Sequence, residues 1–388
     1  MNATTSKQIQ NAGDNANQIQ TQTLVQNIGI SEERVYDIVS AACDKAIESC
    51  LMESRLAVEQ RLNSFKDELY AIVGNQLQLF DSLREPSCAA TLGAAANAAA
   101  RTNSADDHQM LAELLVKRFE SPSDRHVATG VSKAIEIVEF LTDEELAGLT
   151  VFFAVNSYTP SSGVIGDGIK TLAGIYESLP LNLLPAGTDW IDDLDILDAI
   201  RYSSITSLTP FLDLQFDMLK GYTVCGVGVD SAEEAEVLEK LEEAGLPTDL
   251  LVDHELNPGY RRLSLRYIDR FDNLLYRHDC DASIPGIPLS NAQIEALRFI
   301  CQLSQDDSCV AIIKENLKKE MFKLPVLVKV HDWWNSIPLV PRLTPAGECL
   351  ASANARTPAC PNSRVGRRLF HAVGLMIQLD LGSKRWVI

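Results

Sequence analysis

The chain has 388 residues, 34 Lys and Arg against 53 Asp and Glu for a formal charge of −19, and 46% hydrophobic residues. That length supports more than one ordinary core. The acidic balance argues against a general binder of nucleic acid or anionic membrane, since both demand basic surface, and no stretch approaches the ~20 consecutive apolar residues of a membrane helix.

Eleven of the first 30 residues are Asn or Gln, and Gln8-Ile9-Gln10 returns ten residues later as Gln18-Ile19-Gln20. Gly13-Asp14-Asn15 between the copies is a turn signal, and the alternation around Ile9 and Ile19 has strand period. So short a segment has no core of its own. Copies stacked from several chains would bury Ile9 and Ile19 and ladder Asn15 with its neighbours, which makes these three the candidate oligomerisation residues. The competing expectation is a frayed polar tail. The polar start does not read as a signal peptide.

Gly29 closes that segment, and Ser31 with Glu32 and Glu33 opens a helix through its cap and early carboxylates. Val58, Leu62, Phe65, Leu69 and Ile72 follow at heptad spacing, so residues 29–84 are expected to form a helical stalk or hairpin. Pro86 breaks the pattern. Residues 85–220 read as a body of short helical hairpins: a small-residue helix over 88–100, one starting at Asp106, one carrying Ala134, Ile135, Val138 and Leu141, and one opened by the capping box Thr142-Asp-Glu-Glu145. One further helix is expected near Ile169–Leu179. The acidic run from Asp189 to Asp198 then forms the solvated face of another helix.

From 221 the character changes. Tyr222–Val229 reads as a strand, followed by a helix capped at Ser231 and ended at Gly245. A second capping box begins at Ser290, a helix runs through 310–322, and Leu324–Val330 reads as a strand. Leu343-Thr-Pro-Ala-Gly347 opens a helix over 345–355 economically, with Thr344 as cap and Pro345 in the first turn. A strand running into such a final helix is winged-helix-like. The chain is expected to close in a hairpin formed by 371–381 and 385–388.

Few residues suggest chemistry. Gly226-Val-Gly228 lacks the third glycine of a dinucleotide fingerprint, because position 231 is serine, and its glycines fall inside the expected strand. Asp253-His254-Glu255 and His278-Asp279-Cys280-Asp281 are the only close clusters of metal-ligand types. Neighbours in sequence point apart, and no Cys/His spacing resembles a zinc site. We therefore expect no metal and no cofactor. The nine cysteines are odd in number and widely spaced, with no Cys-x-x-Cys, which argues against a disulfide framework and for a reducing cytoplasm. Residues 309–388 hold 12 basic against 5 acidic side chains. Within them Trp333, Trp334, Arg364, Arg367 and Arg368 are the candidate contacts to a partner or to nucleic acid, against the plainer expectation of packing and a solvated basic face.

Taken together, the Asn/Gln-rich start with Gly13-Asp14-Asn15, the Gly29-Ile30-Ser31 opening, and Leu343-Thr-Pro-Ala-Gly347 after Trp333-Trp334 resemble an uncharacterised family of bacterial proteins. The last element also resembles one in abortive-infection proteins. The resemblance implies a cytoplasmic accessory protein linked to phage defence, and it carries no catalytic residue across.

The sequence therefore predicts a mostly helical α+β protein with four parts: a polar β-type oligomerisation segment (1–28), a helical stalk (29–84), a helical body (85–220), and a C-terminal α/β module (221–388). The favoured function is a non-enzymatic, self-assembling scaffold or sensor that meets a protein partner and no membrane. Its rivals are a hydrolase or nuclease built on scattered carboxylates with His254 or His278, and a winged-helix regulator that binds nucleic acid through 309–388.

Overall fold

A computed structural model describes residues 31–48, 55–74, 76–160, 162–203, 206–268, 271, 274–276, 287–356, 377–379 and 386–387. The protein is a mostly helical α+β fold with a few small, mainly antiparallel sheets. It divides into two units, Met1–Asp124 and Arg125–Ile388. The boundaries expected at 84 and 220 are not where the chain divides, for reasons visible in each unit.

In the first unit Ser31 Oγ accepts the N–H of Arg34 at 3.2 Å and starts helix α1 (Glu32–Glu48). Helix α2 (Arg55–Val73) follows and buries Val58, Leu62, Phe65, Leu69 and Val73. The last position differs from the expected Ile72, because an unsupercoiled helix drifts from a strict seven-residue repeat. This is no free stalk: α1 and α2 pack against α3 (Pro86–Arg101) and α4 (Ala105–Glu120). The alanines of α3 are buried and let backbones approach closely. The buried His108 ring ties three helices together, lying 3.0 Å from Ser64 Oγ and 3.1 Å from the Ala99 carbonyl. That four-helix core is why 31–120 is one body.

The second unit opens with α5 (Arg125–Ile137) and α6 (Asp143–Ser157), the latter held by the expected capping box of Thr142 and Glu145. Strand β1 (Tyr158–Pro160), α7 (Ile165–Glu177), α8 (Asp189–Ile196), β2 (Ile200–Ser203) and α9 (Phe211–Met218) follow. Next come β3 (Val227–Gly228), α10 (Ala232–Glu243), β4 (Leu251–Asp253) and β5 (Tyr260–Leu263), in an antiparallel sheet of order β3-β5-β4. Strands β6 (Leu274–Tyr276) and β7 (Ile287–Pro288) lead to α11 (Asn291–Leu303), opened by the Ser290–Gln293 capping box, then α12 (Asp307–Phe322) and α13 (Pro325–Ser336). Strand β8 (Val340–Leu343) runs into α14 (Pro345–Arg356), and β9 (Ile377–Leu379) and β10 (Trp386–Val387) complete the described residues.

Four expectations are corrected here. The run 222–229 is mostly irregular and buried, with only Val227–Gly228 in a strand, because Gly226 takes φ +82° there. Residues 324–330 are helical. Pro325 supplies the first turn of α13, and Leu327, Val330, Trp333 and Trp334 form its buried face, so the 3.6-residue period outweighs the alternation of valines. The C-terminal strands form no hairpin: β9 pairs antiparallel with β1, and β10 pairs parallel with β6. Finally, β8 is not a wing, since its antiparallel partner is β2, with Ile200 opposite Leu343.

The unit begins at 125 because α5 packs against α14, the helix that β8 leads into. Thr344 Oγ1 donates to the Asp198 carbonyl at 2.6 Å and accepts the Gly347 N–H at 3.2 Å, so one hydroxyl docks α14 on β2 and caps it. A Cβ at Gly347 would collide with the Ala199 carbonyl, which is backbone and has no room to yield. Gly347→Ala is therefore expected to cost about 2 kcal/mol, as overpacking does, measured by urea unfolding. An unchanged midpoint would show that the docking is loose.

Candidate functional site

Three buried polar residues of the second unit, His254, Arg262 and Arg266, lie on or beside the three-stranded sheet. Arg262 on β5 is fully buried. Its Nη2 donates to the Gly163 carbonyl at 2.6 Å and to Glu255 at 3.2 Å, and its Nη1 donates to the Leu263 carbonyl at 2.9 Å. Burial holds this guanidinium below its ordinary pKa, and the Glu255 carboxylate opposes that effect. The same carboxylate accepts the Ile165 N–H at the start of α7, a position the helix dipole favours. Arg266, also buried, donates to Thr159 Oγ1 at 3.1 Å and to the Pro160 carbonyl.

His254 is buried among these groups. The Leu256 N–H donates to its Nδ1 at 3.2 Å, so Nε2 carries the proton and donates to the Val224 carbonyl at 2.8 Å. Burial pushes the imidazole below its ordinary value. With the Nδ1 lone pair engaged by the Leu256 N–H and the Nε2 proton by the Val224 carbonyl, the ring is bound on both sides by backbone. Asp253 turns outward to Arg261 at 3.1 Å and Glu255 turns to Arg262, so the cluster 253–255 diverges as its spacing implied.

His254 has a consequence for pH. Unfolded, it titrates near its ordinary 6.5, whereas folded it stays neutral to lower pH. Between those values the unfolded chain holds more protons, so this contribution to stability is whole above about 6.5 and is lost as pH falls from there toward the folded value. Unfolding free energy is expected to decline over that window, and His254→Gln is expected to flatten the decline. An identical slope in both proteins would assign the effect to other groups.

The feature that the sequence analysis missed lies beside this histidine. The structure joins Cys225 and Cys309 in a disulfide, with Cα atoms 5.9 Å apart and a sequence separation of 84. The sequence argues against a disulfide framework; this one pair is what the described residues hold. Tertiary folding lays the 223–226 segment along the end of α11, where the Gly226 N–H donates to the Ser304 carbonyl at 3.1 Å. Spacing so wide carries no signal that the sequence alone could show. Cys225 is buried, while Cys309 is half-buried in the first turn of α12. Asn257 Nδ2 donates to the Cys225 carbonyl at 3.0 Å and lies 3.9 Å from its Sγ. The donor atoms of Cys225, Cys309 and Asp306 all lie within 4.8 Å of one another. Asp306 caps α12 by accepting the Ser308 N–H at 2.9 Å, and that bond holds its carboxyl below the usual range. A cavity of about 330 Å³ is lined by Thr223, Val224, Gln305 and Val310, the sequence neighbours of these residues, among others. Cys43, Cys88, Cys301 and Cys349 are buried outside the bridge.

The remaining site residues are placed as follows. Trp333 and Trp334 are buried. Their indole N–H groups donate to the Pro185 and Thr209 carbonyls at 2.9 and 2.8 Å, and Trp334 stacks on Phe152 at 5.0 Å. Both anchor packing within the second unit. Ile9, Asn15, Ile19, His278, Cys280, Arg364, Arg367 and Arg368 lie outside the described residues. Among the described residues no helix is long and apolar enough to cross a membrane.

No curated protein and no solved structure matches the chain. A family model with the bare description ":-like" matches residues 29–224; because this is just over half of the chain, ending one residue before Cys225, the chain belongs to that family.

Proposed function

We propose that the protein is a self-assembling sensor or scaffold subunit whose second unit responds to thiol–disulfide state. The observation that carries this reading is the Cys225–Cys309 pair, one sulfur buried and the other half-buried at a helix start. The Cys309 thiolate attacks a low-molecular-weight disulfide and expels one thiolate. The Cys225 thiolate then displaces the second and closes the intrachain S–S bond. Two protons and two electrons leave the protein, and the small disulfide becomes two thiols. Closing the bond clamps the start of α12 to the segment entering β3. Opening it leaves α12 tied to the turn between β4 and β5 further along the helix, through Asn316 Nδ2 to the Leu256 carbonyl at 3.1 Å.

The test is alkylation and peptide mass spectrometry of the full chain across a series of glutathione redox buffers. A bridge that opens and closes within the span of cellular buffers supports the reading. Two thiols that stay alkylatable under every oxidising buffer overturn it. The assembly half of the proposal rests on the repeated Gln-Ile-Gln of 8–20: a chain starting at Gly29 is expected to lose mass by light scattering, and unchanged mass would refute the assembly role. A setting in antiviral defence is supported by the resemblance alone. Equal phage plating with and without the gene, over a broad panel, would remove it.

A further inference from the structure

We propose that, once reduced, Cys225, Cys309 and Asp306 form a binding site for a zinc ion, so that metal and disulfide are alternative occupants of one place. The inference rests on the redox reading above, because the same two sulfurs serve both states.

The chemistry of the donors selects the metal. Two thiolates and a carboxylate suit zinc, which takes sulfur and oxygen ligands in a tetrahedron, while magnesium and calcium prefer all-oxygen shells. In such a tetrahedron donor atoms lie about 3.5–4 Å apart, given metal–ligand bonds of about 2.0–2.3 Å. The three donor atoms lie within 4.8 Å of one another, close enough for one ion to reach all three once the S–S bond is open. Asp306 spends one lone pair on the Ser308 N–H, and the carboxylate keeps others for a cation. Asn257 Nδ2, 3.9 Å from Cys225 Sγ, is placed to donate to the sulfur and orient it, as outer-sphere partners of metal ligands do. Asp306 being exposed, a water would complete the tetrahedron at the fourth position. The site escapes spacing rules because its ligands come from two distant segments, one of them a lone Cys225.

Occupancy follows redox state with the electrons balanced. When the two thiolates pass two electrons to a low-molecular-weight disulfide, the S–S bond replaces both metal–sulfur bonds, and the zinc leaves as the aqueous ion. Reduction restores two thiolates and the site. The zinc is not itself reduced or oxidised.

The experiment uses the full chain, reduced and kept free of oxygen, titrated with zinc against a chromophoric chelator. Cobalt serves as the spectroscopic probe, because thiolate ligation gives it a sulfur-to-metal charge-transfer band. The expected result is one zinc per reduced chain, none in the oxidised chain, and the charge-transfer band with cobalt. Cys309→Ser is expected to abolish the band, and Asn257→Ala to weaken binding about tenfold. Asn257→Ala is the control against misfolding, since its circular dichroism should match the parent. If the two thiols appear on reduction but no zinc is taken up, the metal site is overturned and the redox reading stands. If zinc binds equally to the oxidised chain, or to Cys309→Ser, these sulfurs are not its ligands and the proposal is likewise overturned. If the thiols never pair, the redox reading fails, and zinc uptake by the permanently reduced pair would then sustain the site alone.

Discussion

Reduction of the full-length protein is expected to lower the melting temperature of its second unit by about 6–12 °C. A disulfide stabilises mainly by removing loop entropy from the unfolded chain, and a loop of this size corresponds to about 4.5 kcal/mol in the chain-entropy treatment. Measured values run lower, so about 3 kcal/mol is the working figure, and each kcal/mol moves a unit of more than 150 residues by about 2–4 °C. The bridge spans 84 positions and encloses α10, α11 and the β3-β5-β4 sheet. Most of the core formed by Val237, Leu241, Leu297 and Ile300 lies inside that loop. Scanning calorimetry with and without reductant reads the shift directly. A Cys225→Ala, Cys309→Ala double variant should melt at the lower temperature and ignore reductant. Identical traces for the oxidised and reduced parent would mean that the loop is already ordered by its other contacts.

Removing Glu255 is expected to cost about 3 kcal/mol, the low end of what breaking a buried ion pair costs. The low end applies because Arg262 is wholly buried while Glu255 is 37% exposed, so water can reach the site of the lost carboxylate. The cost arises on the arginine side. Without Glu255 the guanidinium keeps only backbone carbonyls and the face of the Tyr222 ring at 5.6 Å, and its Nε has no hydrogen-bond partner among the described residues. The Ile165 N–H at the start of α7 loses the Glu255 carboxylate as its acceptor at the same time. Adding Arg262→Met to Glu255→Ala should recover part of the loss, because an apolar chain of similar volume needs no counter-charge. Guanidinium unfolding of both variants measures this. A Glu255→Ala protein within about 0.5 kcal/mol of the parent, the range of an ordinary surface substitution, would mean that backbone carbonyls satisfy the charge.

What the sequence by itself determined is local. The capping residues Ser31, Thr142, Ser231 and Ser290 each accept an N–H three positions later, so the information lies within one turn. The buried stripe of α2 and the acidic outer face of α8 are likewise readable from apolar periodicity. The tertiary structure decided the rest. Whether 324–330 alternates as a strand or winds as a helix depends on what covers Trp333 and Trp334, and that cover is Phe152, Pro185 and Thr209 from a distant stretch of chain. Strand partners were equally hidden: β1 finds 377–379, and β2 finds β8. A strand's edge states only that hydrogen bonds are owed, not by whom they are met. The candidate site belongs to this second class. Cys225, Asp306 and Cys309 meet because folding closes an 84-residue loop, and closing a loop of that length is governed by the core it encloses, not by the residues at its ends.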